Sequence, residues 1–182
     1  MSFIRLWEKR ENILINEKKQ KLIAEIEAKA IQYEMNYHGC GQSVIASLQE
    51  KLNIGNEASF MAGSFLGAGV ARSGETCGAL IGAIMVIGLV RGRRRIDGPA
   101  THLPFLQLAG EVRDRFRESA GHSLCSEIQK LLFGRSFNLC DENEKQLFEN
   151  SGGHSREGCP SICGKAARIA AEIIVGELNY GG

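Results

Sequence analysis

The sequence predicts an all-α, single-domain bundle of several helices, with a glycine-rich loop ahead of a helix that opens on Cys77-Gly-Ala-Leu-Ile-Gly82. Three observations predict it. Apolar residues recur at spacings of three and four along most of the chain, glycine, asparagine and proline punctuate those stretches, and no convincing strand stands out. With 182 residues, 43% of them hydrophobic, the chain can bury one core without a staple, so residues 1–182 read as one domain.

The first long helix covers residues 17–37, where Leu22, Ile26, Ala30, Tyr33 and Tyr37 form one stripe. Residues 1–16 read as a packing arm or an extension of that helix. His38-Gly39 breaks the pattern, and Val44, Ile45, Leu48 and Leu52 resume it as a second helix starting near Cys40 and closed by Asn53-Ile-Gly-Asn. A short third helix is expected over Glu57 to Leu66, capped by Asn56. The fourth begins at Thr76 or Cys77 and runs to about Val90, with Gly78 and Gly82 leaving a smooth strip for a close neighbour, backbone or cofactor.

Pro99 and Pro104 bracket the start of a fifth helix, whose Leu106, Ala109, Val112 and Phe116 face inward and which Gly121 ends. Ser123 is the expected cap of a sixth helix bearing Leu124, Ile128, Leu131 and Leu132. A short seventh covers Glu142 to Phe148. The last starts at Pro160 and runs through Ile162, Ala166, Ile169, Ile173 and Ile174 to Leu178.

Composition excludes some partners. Twenty-two basic residues balance 21 acidic ones, so nothing general draws the chain to nucleic acid or an anionic membrane. The longest apolar run, Ala79 to Val90, is short of the roughly 20 residues a bilayer span needs, and Met1 to Arg10 lacks the pattern of a secretory signal. A cytoplasmic location without membrane insertion is the expectation. In a reducing compartment, six cysteines with no CxxC pair point to metal or redox work more than to structural disulfides.

Cys40, Cys77, Cys125 and Cys159 all fall at or just before the first turn of an expected helix, where unpaired N–H groups and the positive end of the helix dipole favour thiolate. Cys163 lies one turn inside the last helix, on the face of Cys159, and is held in reserve. Cys140 precedes the acidic Asp141-Glu-Asn-Glu, which opposes thiolate formation. Four converging thiolates can hold an iron–sulfur cluster, hold a structural zinc, or work as exchanging dithiols, and spacing does not choose among these. Inert packing as small hydrophobes is the ordinary alternative for any one of them.

These residues carry a resemblance. Gly39-Cys-Gly-Gln-Ser-Val, Gly67-Ala-Gly69 and Arg72-Ser-Gly-Glu-Thr before Cys77-Gly-Ala-Leu-Ile-Gly82, Ser123-Leu-Cys-Ser-Glu-Ile, and Cys159-Pro-Ser-Ile resemble the C_GCAxxG_C_C family of redox-active proteins over roughly residues 30–178. That family is similar to the C-terminal part of split-Soret cytochrome c, an all-helical dimer whose cysteines are associated with an iron–sulfur centre. The resemblance implies Cys40, Cys77, Cys125 and Cys159 as ligands of a cluster, expected to be 2Fe-2S, with the backbone of Gly67, Gly69 and Gly78 beside it. It leaves room for a homodimer. Covalent haem is not expected, because the chain has no CxxCH.

Other signals are weaker. The loop Gly63 to Gly78 follows a helix and lacks the Lys-Ser/Thr of a P-loop, so nucleotide binding is not expected. Arg91-Gly-Arg-Arg-Arg95 reads as a solvated helix end, with docking of an acidic partner as the alternative. His38, His122 and His154 neighbour cysteines and read as supporting or surface groups. The expected function is electron transfer with a protein partner through an iron–sulfur cluster. A thiol–disulfide protein and a structural zinc protein are the alternatives.

Overall fold

The computed structural model describes residues 3–96, 98–100 and 102–177. Within them the chain is all-α. The amphipathic stretch of the first helix belongs to a longer one, α1 (Phe3–Tyr37), which runs without a break from Phe3. Its buried stripe is Ile23, Ile26, Ala30 and Glu34, a run of three- and four-residue steps, whereas Tyr37 is 74% exposed. The stripe passes through Glu34 instead of the tyrosines because its carboxylate is satisfied: it accepts hydrogen bonds from Gly39 N–H at 2.8 Å and Ser43 Oγ–H at 3.1 Å.

His38, at φ 54°, turns the chain into α2 (Cys40–Leu52), and left-handed Asn53 closes that helix by donating its N–H to Gln49 O. Asn56 caps α3 (Glu57–Ala62) through a capping box with Ser59, as its residue type requires. The helix ends at Ala62, four residues short of the expected Leu66. Cys77 is the N-cap of α4 (Gly78–Arg91).

α5 (Leu103–Ala120) has proline in its first turn and ends at left-handed Gly121. Val112 and Phe116 are buried as expected, but Leu106 is 52% exposed, and Leu108 packs against the core in its place. α6 (Cys125–Phe133) follows Leu124, not Ser123, as N-cap. No side-chain cap is needed there: Cys125 and Ser126 donate their N–H groups to Glu75 O and Gly74 O of the glycine-rich loop, and His122 Nδ1 accepts the N–H of Leu124. Asp141 caps α7 (Glu142–Asn150). The last helix is α8 (Cys159–Glu177), and Leu178 lies outside the described residues.

α8 is the centre of the bundle, packed on α1, α2, α4 and α5. Ala166, Ala167, Ala170 and Ala171 are buried along it, and their small side chains let the neighbouring helices come close. α2 and α4 come close at their glycines: a Cβ on Gly82 would stand 2.6 Å from the carbonyl oxygen of Gly41. A second, smaller cluster joins α6 and α7 through Phe133, Phe137 and Phe148, whose rings meet edge to face at 5.6 to 6.0 Å. Among the described residues no helix is long and apolar enough to cross a membrane.

Candidate functional site

Between the two clusters lies a cavity of about 470 Å³. Cys40, Cys77, Cys125, Cys159 and Cys163 all line it. Cys40, Cys125 and Cys159 are the first residues of α2, α6 and α8, and Cys77 caps α4, so four helix N-termini carry their cysteines to one space. Cys163, fully buried one turn into α8, stands 3.7 Å by its Sγ from Cys40 O. Cys140 is exposed instead, its Sγ 3.8 Å from Arg72 O, and takes no part in the lining.

The glycine-rich loop forms one wall. Ala68, Gly69, Val70, Ala71 and Arg72 are consecutive residues at positive φ, between 50° and 72°. A left-handed turn costs an L-residue about 1 to 2 kcal/mol at each position, so the surrounding structure must hold it. It does so by the loop's hydrogen bonds to Cys125 and Ser126, by Cys77 N–H donating to Ser123 O at 2.8 Å, and by Ser73 Oγ–H donating to Gly69 O at 2.5 Å. Loop, α4 and α6 are thereby tied together where Cys77 and Cys125 sit.

Three glycines border the site in different ways. A Cβ on Gly78 would press on Leu66 O and stand 2.8 Å from Cys40 Sγ; one on Gly69 would stand 2.6 Å from Cys125 Cβ. Gly67 lines the cavity with open space around it.

Burial favours the protonated form of the thiols in this cavity. Burial pushes the Cys77 and Cys125 thiols up to about 12, with the charge of Cys125 adding to the effect at Cys77 and that of Cys40 at Cys125. Burial likewise raises Cys40, Cys159 and Cys163. The helix starts do act in the expected direction, since backbone N–H groups of Ala79 and Leu80 favour the Cys77 thiolate, but loss of water outweighs them. Each cysteine feels the charge of others, which is the electrostatic sign that all five share one low-dielectric space.

Two cavity residues carry no motif. Glu34 reaches it from α1, with Oε1 3.7 Å from His154 Nδ1, and His154 stacks on His38 at 3.6 Å. Gln129 reaches it from α6. Their signal in the sequence is a polar residue on an otherwise apolar helix stripe: Glu34 four residues after Ala30, and Gln129 four after Cys125. Among the described residues, no three His, Cys, Asp or Glu side chains are placed to hold one metal ion.

A family model described as "Putative redox-active protein (C_GCAxxG_C_C)" matches residues 38–173. The chain belongs to this family. The match starts at His38, just before Cys40, and ends within α8, so it takes in every cysteine that lines the cavity. No curated protein and no solved structure matches the chain. Family membership makes this a redox-active protein by description, and the five-cysteine cavity is where thiol or metal chemistry has its donors.

Proposed function

We propose that this C_GCAxxG_C_C protein binds an iron–sulfur cluster, of the 2Fe-2S type, through Cys40, Cys77, Cys125 and Cys159, and exchanges electrons with a protein partner. One observation carries the reading: four cysteines at four helix starts line one cavity. When bound, such a cluster supplies a one-electron redox centre. The donor set fits it. Four thiolates and the added charge of a reduced centre need compensation, and the N-termini of α2, α4, α6 and α8 aim partial positive charge at this space. Gly78 gives clearance beside Cys40, Gly69 gives it beside Cys125, and open Gly67 completes that wall.

The chain's own residues prepare the site. The left-handed turn at Ala68 to Arg72 walls one side, and Glu34 fixes the α1–α2 junction that presents Cys40. Protonated thiols become ligands only as a cation replaces their protons, so loading releases protons. That same protonation weighs against a thiol–disulfide enzyme, whose attacking sulfur needs ready thiolate. A single zinc ion requires all its donors about 2.3 Å from one point, an arrangement absent among the described residues, whereas the four thiolates of a two-iron cluster would be shared two to each iron.

Anaerobic purification or reconstitution, followed by visible absorption and assay of iron and acid-labile sulfide, tests the proposal. A brown protein with equal iron and sulfide supports it. A colourless protein with neither after reconstitution overturns it.

A further inference from the structure

Gln129 is 2% exposed and donates from Nε2 to Cys125 Sγ at 3.5 Å. Among the described residues it is the one side chain that donates a hydrogen bond to a cysteine sulfur. It lies one helical turn after Cys125 on α6, so the two side chains share a face by helix geometry alone.

The direction of its amide is determined by its other end. Phe137 N–H donates to Gln129 Oε1 at 2.8 Å. A backbone N–H only donates, so the oxygen must face Phe137 and the NH2 must face the sulfur. Phe137 is itself buried with Leu139 and Phe148 in the second cluster. The amide is therefore clamped between a packed aromatic cluster and the cysteine cavity, and it does not have to reorganise when charge appears on the sulfur.

From this we infer that Gln129 is a positioning residue for Cys125: it orients the sulfur and stabilises negative charge on it, raising the reduction potential of the centre that Cys125 serves. Reduction by one electron from a partner adds one negative charge to that centre, and an N–H aimed at a ligating sulfur favours the more negative state. Its effect on potential rests on the cluster reading; its effect on the Cys125 sulfur does not. Cys40 and Cys77 are favoured as thiolates by backbone N–H groups instead, of Ala68 and Gly41 and of Ala79 and Leu80.

Two variants test it. Gln129→Glu keeps an oxygen for Phe137 N–H and removes the donor to sulfur, and Gln129→Leu removes both. In reconstituted protein, the midpoint potential is expected to fall in both variants with the visible spectrum retained, and an unchanged potential overturns the inference.

In cofactor-free protein, iodoacetamide labelling at one fixed pH is read cysteine by cysteine by peptide mass spectrometry. A hydrogen bond to a charged sulfur is worth about a factor of ten in thiolate, and the lower nucleophilicity of a stabilised thiolate takes back part of it. Cys125 is expected to label about threefold more slowly in Gln129→Leu, with Cys40 and Cys77 unchanged. Equal labelling of Cys125 in a variant of unaltered circular dichroism overturns the inference. Should wild-type protein take up no iron, the cluster proposal fails and the labelling arm still decides the role of Gln129.

Discussion

Cys40 and Gly78 meet where α2 crosses the start of α4: Cys40 Sγ lies 2.8 Å from where a Cβ on Gly78 would stand, and Leu66 O is closer still. A methyl group there displaces a cysteine sulfur and a backbone carbonyl together. Gly78→Ala is expected to cost about 1 to 3 kcal/mol, the usual range for overpacking, and to lower iron uptake. Gly67→Ala lines the same cavity with nothing in reach and is expected to fall within about 0.5 kcal/mol of wild type. Urea denaturation of the two variants side by side makes the comparison.

Single serine substitutions should sort the six cysteines. Replacing Cys40, Cys77, Cys125 or Cys159 is expected to remove most of the iron and the visible bands after reconstitution. Cys140→Ser, on the exposed loop, is expected to leave both unchanged. Cys163→Ser should keep the iron, since Cys163 lies inside α8 and not at its start. Loss of iron in Cys163→Ser would move the ligand set from Cys159 to its neighbour.

Stability of the cofactor-free protein should fall on the alkaline side. The Cys77 thiol rises from its ordinary 9.0 to about 12 in the fold, chiefly through burial, so above pH 9 the unfolded chain gives up a proton that the folded chain keeps. The folded state then binds more protons, and the slope of stability against pH is negative. Stability is fully present below pH 9 and is lost as pH rises towards 12. Thermal unfolding in that window should show a falling midpoint, with a shallower fall in Cys77→Ala.

Backbone strain in the left-handed turn has its own test. Val70 sits at φ 61° and is partly exposed, so glycine removes strain there at small cost in packing. The gain of about 1 to 2 kcal/mol is offset by roughly 0.5 to 1 kcal/mol for the freer unfolded chain. Val70→Gly is expected to stabilise the protein by about 0.5 kcal/mol in chemical denaturation, and a clear destabilisation would show that the Val70 side chain holds the turn.

The capping of α3 by Asn56, the close of α2 by the segment that starts at Asn53, the end of α5 at Gly121 and the helix-start positions of four cysteines were legible from the residues. Each depends on bonds between near neighbours in sequence, which residue type and spacing report directly. Ser123 misled because the N–H groups at the start of α6 are taken by the loop at Gly74 and Glu75, about fifty residues before them. Tyr33 and Tyr37 misled because a carboxylate, Glu34, is the residue that goes inside, and its partners lie on the next helix.

What the sequence by itself determined is the set of helices and the place of Cys40, Cys77, Cys125 and Cys159 at their starts, since periodicity, capping and glycine or proline chemistry act over a few residues. Only the tertiary structure decided that these starts face one cavity, that Cys163 joins them while Cys140 does not, that burial keeps the thiols protonated, and that Gln129 touches a sulfur. The reason is physical. Burial and electrostatic contact depend on which helices pack together, and α8, the hub of that packing, comes last in the chain.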